Sequence, residues 1–277
     1  MIIYFSGTGN TRYCANKLAE RLGDETLEIS GGMILSPSLT HVDTTDRRII
    51  WMTPVYSWGI PPVVESFMRR AIINAPRHTL HHLVLTCGDD AGLTETQWRR
   101  IMKERRLDCG GAFSVIMPNT YVLMKGFNVD PAAVEERKIK DAGPRLDEIA
   151  AVLRPISVIN EEASKLKPSA SLPFDAKKTK GVKRGHFAWF KSKIIYPWFV
   201  RNKMSPAAFH ATEDCNGCGL CSHNCPLGNI TFIGHSTPHW SKNCALCLRC
   251  YHICPNHAVA YGKKTENKGQ YNRMLTK

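Results

Sequence analysis

The sequence predicts an α/β protein, with a five-stranded parallel sheet covered by helices on both faces and a small cysteine-rich module behind it. Three observations predict it. Short apolar runs alternate with amphipathic stretches through residues 1–155. The first junction between them is a glycine-rich turn. Eight of the eleven cysteines fall between Cys215 and Cys254. Alternation of this kind lays strands side by side in parallel and puts helices on both faces. A chain of 277 residues also exceeds what one modest core needs. The composition divides it into residues 1–155, a basic and aromatic linker segment at 156–208, a cysteine module at 209–262 and a polar basic tail at 263–277.

The elements follow in order. Ile2–Phe5 is a short apolar strand that runs into Ser6-Gly7-Thr8-Gly9-Asn10-Thr11. The next helix carries Cys14, Ala15, Leu18, Ala19 and Leu22 on one face and stops at Gly23. Thr26–Ile29 and Arg48–Thr53 read as the second and third strands. A helix entered through Pro61-Pro62 buries Val64, Phe67, Met68, Ala71 and Ile72. His82–Thr86 and Phe113–Met117 complete the sheet, separated by a helix carrying Trp98, Ile101 and Met102. The last helix of this region starts at Asp130-Pro131 and reaches Leu153 past a kink at Gly143-Pro144.

In such a sheet a ligand sits beyond the carboxyl ends of the strands. The turn Ser6, Gly7, Thr8, Gly9, Asn10, Thr11 suits a phosphate there. Its glycines let backbone N–H groups approach an anion, its hydroxyls add donors, and the helix behind it points its positive end at the same place. The turn is neither Gly-x-Gly-x-x-Gly nor lysine-bearing, so it fits a monophosphate better than a nucleoside triphosphate; a tight turn without a ligand is the alternative. Two further loops leave the same end of the sheet: Thr53, Pro54, Val55, Tyr56, Ser57, Trp58, Gly59 and Thr86, Cys87, Gly88, Asp89, Asp90, Ala91, Gly92. Tyr56 and Trp58 either stack on a flat ring or pack under their loop. Cys87 is either a small buried residue or a reactive thiol beside the ring. Cys14 and Cys109 read as packing residues, and His81 and His82 open a strand without a metal partner.

Two cysteine runs repeat: Cys215-x2-Cys218-x2-Cys221-x3-Cys225-Pro226 and Cys244-x2-Cys247-x2-Cys250-x3-Cys254-Pro255. Two complete four-cysteine runs exceed what one tetrahedral zinc ion uses. A disulfide scaffold belongs to a secreted protein, and the N-terminal Met-Ile-Ile-Tyr-Phe-Ser lacks the basic lead-in and apolar core of a signal peptide. The remaining reading is a pair of [4Fe–4S] clusters. This spacing is that of the bacterial two-cluster ferredoxins, in which the fourth cysteine of each run serves the other cluster. By that rule Cys215, Cys218, Cys221 and Cys254 hold one cluster, and Cys225, Cys244, Cys247 and Cys250 the other. Phe209–Thr212, Ile230–Phe232 and Val259–Tyr261 look like the short strands that flank such cluster loops.

The turn at residues 6–11 in turn resembles the FMN-phosphate loop of flavodoxins, and the two later loops fall where flavodoxins grip the isoalloxazine. The whole chain is similar to the flavodoxin–ferredoxin fusion proteins of anaerobic prokaryotes, over residues 1–155 and 209–262. The resemblance implies a flavodoxin-like domain joined to a small α+β ferredoxin domain, with FMN and two [4Fe–4S] clusters as cofactors. It also implies a site role for Asn119, in Met117-Pro118-Asn119-Thr120-Tyr121. The chain departs from acidic free-carrier flavodoxins. Its net charge is +13, with 19 basic against 18 acidic residues in 1–160 and 11 against 3 in 161–210.

Clusters move single electrons and flavin one or two, so the leading expectation is a cytoplasmic electron-transfer protein, an oxidoreductase linking ferredoxin-type carriers to FMN. No nicotinamide fingerprint is present. The alternatives are a ferredoxin-dependent reductase of an enone or quinone, and a redox sensor or membrane-surface adaptor. Basic surface favours acidic protein partners, and a homodimer in which clusters face the mate's flavin stands beside the arrangement within one chain. The stretch Phe187–Arg201 is aromatic and basic. It packs between domains and shields the flavin, lies on an anionic membrane, or binds nucleic acid. Its apolar residues trace no clean helical stripe and Pro197 interrupts it, so an irregular packed segment is expected. The polar, lysine-rich stretch before it reads as a mobile linker.

Overall fold

A computed structural model describes residues 1–46, 48–154, 181–233 and 237–275. The strands of the N-terminal part are β1 (Ile2–Tyr4), β2 (Thr26–Glu28), β3 (His41–Asp43), β4 (Arg48–Pro54), β5 (Ile72–Asn74), β6 (Leu80–Cys87) and β7 (Asp108–Ile116). Five of them form one parallel sheet in the order β2-β1-β4-β6-β7. The helices between them are α1 (Asn10–Leu22), α2 (Gly31–Leu35), α3 (Pro62–Arg70), α4 (Thr94–Glu104) and α5 (Ala132–Leu153).

Alternation along each strand divides the core in two. Ile2, Tyr4, Ile50, Met52, Val84 and Phe113 pack with α1 and α5. Ile3, Phe5, Ile49, Trp51, Leu83 and Leu85 pack with α3 and α4. A sheet buried on both faces needs near-continuous apolar strands, which is what these are. The chain order reverses beside β1, so the loops after β1 and β4 diverge there and leave a crevice at the carboxyl ends.

Three expectations need correction. Ile72 does not belong to the helix core; α3 ends at Arg70, and Ile72 is exposed as the first residue of β5. There it pairs with His41 in a separate two-stranded parallel ribbon, β3–β5, which sequence pattern did not announce. Cys109 is exposed and not a packing residue. Residues 188–203, expected as an irregular packed segment, are helical, with one irregular turn. A helical turn at Ala188–Phe190 leads into a π turn at Lys191–Ile195 and then α6 (Tyr196–Lys203). The Tyr196 N–H bonds to the Lys191 carbonyl, five residues back, and this wide turn places Pro197, which has no N–H, at the start of α6. Helix α5 continues through Pro144. The linker expected to be mobile falls at residues 155–180, outside the described residues.

The C-terminal part carries β8 (Phe209–Ala211), β9 (Ile230–Ile233), β10 (Thr237–Trp240), β11 (Val259–Tyr261), α7 (Leu220–His223) and α8 (Arg249–Ile253). β8 pairs antiparallel with β11, and β9 with β10. Phe209 stacks on Trp240 at 5.5 Å and meets Tyr261 edge-on at 4.8 Å. Val122 and Leu123, from the loop after β7, and Phe199 of α6 complete this core. Residues of three chain regions thus share one core, which docks the C-terminal part on the carboxyl end of the sheet.

Candidate functional site

A cavity of about 600 Å³ opens at the carboxyl ends of β1, β4, β6 and β7, a volume suited to a cofactor-sized ligand. Gly7, Thr8, Asn10 and Thr11 line it, as do Pro54, Val55, Tyr56, Ser57 and Trp58, and Thr86, Cys87, Gly88, Asp89 and Asn119. Ser6, Gly9, Gly59 and Gly92 are not among its lining residues. Ser6 Oγ accepts the Arg12 N–H at 3.2 Å and so caps α1. A Cβ on Gly59 would enter the Tyr196 ring, and one on Gly92 would meet Ser192 and Trp58.

The backbone N–H groups of Thr8, Gly9, Asn10 and Thr11, at the positive end of α1, have no hydrogen-bond partner among the described residues. Four unpaired N–H donors at a helix N-terminus make an anion cradle. Two glycines make it possible. A Cβ on Gly7 would lie 2.6 Å from the Tyr56 hydroxyl and 2.9 Å from Cys247 Cβ. Gly9 takes φ +91°, and a Cβ there would lie 2.2 Å from the Met274 carbonyl oxygen. Asn10 is a positioning residue: its amide donates to the Pro118 carbonyl at 3.0 Å and accepts from the Tyr271 hydroxyl at 2.6 Å. The Thr11 and Thr86 hydroxyls are paired at 2.7 Å, which ties the first loop to the third.

The second loop closes as a two-residue turn. Tyr56 and Gly59 exchange both backbone hydrogen bonds, at 2.9 and 3.1 Å, with Ser57 at φ 47° and Trp58 at φ 64°. Two successive left-handed residues that are not glycine are costly, and outside contacts hold them. Ser192 Oγ donates to the Trp58 carbonyl at 2.9 Å while accepting the Leu93 N–H at 2.8 Å. The Lys191 ammonium lies 4.9 Å from the centre of the Trp58 ring and 2.8 Å from Asp90 Oδ2. Burial would raise the Asp90 carboxyl; the Lys191 ammonium and the Gly92 and Gly185 N–H groups hold it below its ordinary value. Burial pushes the Tyr56 phenol well above its ordinary value, and Cys247 adds to the shift. Burial likewise pushes the Cys87 thiol up to about 12, which favours the neutral thiol at the cavity wall.

The far wall comes from the aromatic segment, which one reading of the sequence set against the flavin, and from the cysteine module, which the sequence marked for metal and not for this cavity. Lys191, Ile195, Trp198, Phe199 and Met204 of the aromatic segment line it, and so do Leu246, Cys247 and Leu248. Arg249, buried to 5% exposure, donates to the carbonyls of Gly7, Ser6 and Asn224. No carboxylate pairs with it among the described residues. The tail joins in through Tyr271 and Met274, both buried over the first loop.

The cysteines fall into two sets of four. Cys215, Cys218, Cys221 and Cys254 line one small cavity, and Cys225, Cys244, Cys247 and Cys250 line another. Each set therefore mixes the two sequence runs. Backbone N–H groups of Asn229, Leu246 and Ala258 donate to the sulfurs of Cys225, Cys244 and Cys254, each at 3.3 Å. Burial pushes the Cys250 thiol well above its ordinary value, and Cys247 adds to the shift. Among the described residues no three side chains converge as ligands of a single metal ion.

A family model described as a flavodoxin domain matches residues 1–113. This region is a flavodoxin-like domain. Solved structures similar to the chain include a flavodoxin from Streptococcus pneumonia TIGR4, 17% identical, covering 55% of this chain and 97% of that one at a TM-score of 0.33. The Trp repressor binding protein from Bacillus subtilis is 15% identical, with 53% and 97% covered and a TM-score of 0.32. An NADH:FMN oxidoreductase in its apo form is 15% identical, with 55% and 89% covered and a TM-score of 0.35. No curated protein sequence matches the chain. No helix among the described residues is long and apolar enough to cross a membrane.

Proposed function

We propose that the protein is an electron-transfer flavoprotein holding FMN in the large cavity and two [4Fe–4S] clusters on its cysteine sets, with all three centres on one chain. The observation that carries this is Cys247, a member of one cysteine set that also lines the cavity of the flavodoxin-like domain. The wall between the two sites is a single side chain thick, which favours transfer within one chain over transfer to a dimer mate.

The residues suit both groups. The unpaired N–H groups of residues 8–11 fit a phosphate, and Tyr56 and Trp58 flank the space in which a ring would lie. A cubane takes each thiolate on a different iron, so it calls for four sulfurs around a cavity and not at one point; the two mixed sets have that form. Arg249 gives an independent argument. A buried cation with no carboxylate is costly, and its neighbours under this reading are two anions, the phosphate on the first loop and the thiolate-ligated cluster of the second set. When bound, FMN exchanges one or two electrons and each cluster one. The chain's own part is to hold Cys247 against Gly7 through Arg249, to pack Leu246 and Leu248 into the cavity wall, and to exclude water with residues 191–204. The set containing Cys218, which is exposed, faces partners, and acidic ferredoxin-type carriers are the donors a basic chain would attract.

A second reading, a reductase of a small organic acceptor such as an enone or quinone, is favoured by the aromatic segment. Ile195, Trp198 and Phe199 enclose the cavity beside Tyr56 and Trp58, as a substrate pocket would require. Anaerobic stopped-flow, on protein with its flavin and iron counted, separates the two. Rapid flavin reoxidation by carrier proteins alone supports electron transfer; turnover with one small molecule makes the protein a reductase. Absence of flavin or iron from the anaerobically purified chain overturns both.

A further inference from the structure

The helical segment 188–203 has an inner side and an outer side, and of the exposed apolar residues on the outer side Trp198 alone lines the cavity. Ser192, Tyr196 and Phe199 turn inward, onto Trp58, Ile60 and the C-terminal core. Outward stand Phe187, Trp189, Phe190 and Ile194, which are 80, 63, 50 and 49% exposed, and Trp198 at 46%. Four of the five are aromatic. In a soluble surface such residues occur singly; five along one short ridge call for a partner.

The charge around them has one sign. From residue 176 to residue 212 the sequence has no Asp or Glu, while residues 181–203 carry Lys183, Arg184, Lys191, Lys193, Arg201 and Lys203. Arg184 and Lys191 are ion-paired with Glu95 and Asp90. Lys193 and Arg201 are exposed beside the aromatic residues, and the Lys203 ammonium lies 5.0 Å from the centre of the Trp198 ring.

We propose that this ridge docks the protein on an anionic lipid bilayer, lying in the headgroup region without crossing it. Aromatic side chains interleaved with Lys and Arg are the composition of interfacial helices. The rings enter the headgroup–acyl boundary and the long cationic side chains reach back to the phosphates. A second copy of the chain is the wrong occupant, because a uniformly basic ridge repels itself. An acidic protein is a poorer one than lipid. The aromatic residues protrude from a convex helix, which a fluid interface accepts without a matching groove. Trp198 belongs to both the ridge and the cavity wall, so docking brings the rim of the cavity to the membrane surface. The proposal does not depend on which cofactors the chain carries.

The test uses the full chain with its cofactors and two vesicle types, phosphatidylcholine alone and phosphatidylcholine mixed with phosphatidylglycerol. Cosedimentation with the anionic vesicles, weakening as salt rises, is expected. A juxtamembrane basic residue contributes about 1 kcal/mol, so Lys193→Gln with Arg201→Gln should weaken partitioning about 30-fold. Phe187→Ser, Trp189→Ser and Phe190→Ser together should abolish it. Brominated acyl chains should quench the tryptophan fluorescence of the unaltered protein, and less so that of Trp189→Phe. This last readout requires no disruptive variant. Failure of the unaltered protein to sediment with anionic vesicles overturns the proposal. So does binding that survives both sets of substitutions, or sedimentation velocity showing a dimer that the aromatic substitutions dissolve.

Discussion

Replacing Arg249 by methionine should uncouple the two halves of the molecule. The guanidinium makes three hydrogen bonds, to the carbonyls of Gly7, Ser6 and Asn224, from a site with 5% exposure. Bonds to a charged group contribute roughly 1.5–3 kcal/mol each. Burial of the cation costs several kcal/mol, and methionine, which fills much of the same space, removes that cost. What remains is set by the carbonyls left behind. Those of Ser6 and Gly7 are buried, and an unsatisfied buried acceptor costs roughly 1–3 kcal/mol. The net loss should be about 3 kcal/mol, a factor of about 150 in the equilibrium it governs. Because the first loop and α8 are 242 positions apart in sequence, the loss should fall on their docking. Urea titration of the anaerobic holoprotein, followed by the rise of flavin fluorescence on release, should show release well before the tryptophan transition. Arg249→Lys should fall between, since one ammonium cannot span three divergent carbonyls. Coincident, unshifted transitions in Arg249→Met would refute the reasoning and leave Arg249 an ordinary buried side chain.

Three further outcomes are expected. The mixed cysteine sets predict that Cys225→Ser with Cys244→Ser removes one cluster, while Cys225→Ser with Cys218→Ser removes both; iron counts of the anaerobic proteins distinguish this from pairing within each run, which predicts the reverse. Gly9→Ala should drive Met274 off the first loop, since the new Cβ meets its carbonyl and φ +91° is strained for alanine; limited proteolysis should then cut the tail faster, and flavin should bind at least tenfold more weakly. Burial lowers His81 and His82 to about 4, with Trp51 donating to His81 Nδ1 at 3.0 Å and Gly111 to His82 Nδ1 at 2.9 Å. The unfolded chain binds more protons between pH 6.5 and 4, so stability rises with pH across that window and is complete above 6.5. Each histidine should withdraw about 3 kcal/mol as pH falls through it, and His81→Gln should flatten the profile in urea melts taken between those limits.

The parallel sheet was legible because Ile2-Ile3-Tyr4-Phe5 and its counterparts are short, apolar and punctuated by turns. The three loops were legible because strand ends in such a sheet converge wherever the strands are known. The β3–β5 ribbon was not, since His41-Val42-Asp43 offers one apolar residue and Ile72 continues the periodicity of α3 beyond the point where its backbone stops. The helix at 188–203 was hidden by its own irregularity. A π turn inserts a residue and rotates every later side chain by about 100°, so a real stripe reads as no stripe. Arg249 and Tyr271 left no trace either. Their partners are Gly7 and Asn10, and no local pattern reports a contact spanning most of the chain.

The tail over the first loop bears on how such a protein can be taken apart. Tyr271 and Met274 close the anion cradle, Cys247 and Arg249 back it, and residues 191–204 wall the space beside it. A fragment ending near residue 154 would keep every strand of the sheet and still present a half-built site, open to water on the sides that these residues cover. The two halves are therefore not interchangeable parts. A C-terminal portion borrowed from a relative would have to fit Gly7, Gly9 and Asn10 as closely as its own cysteines.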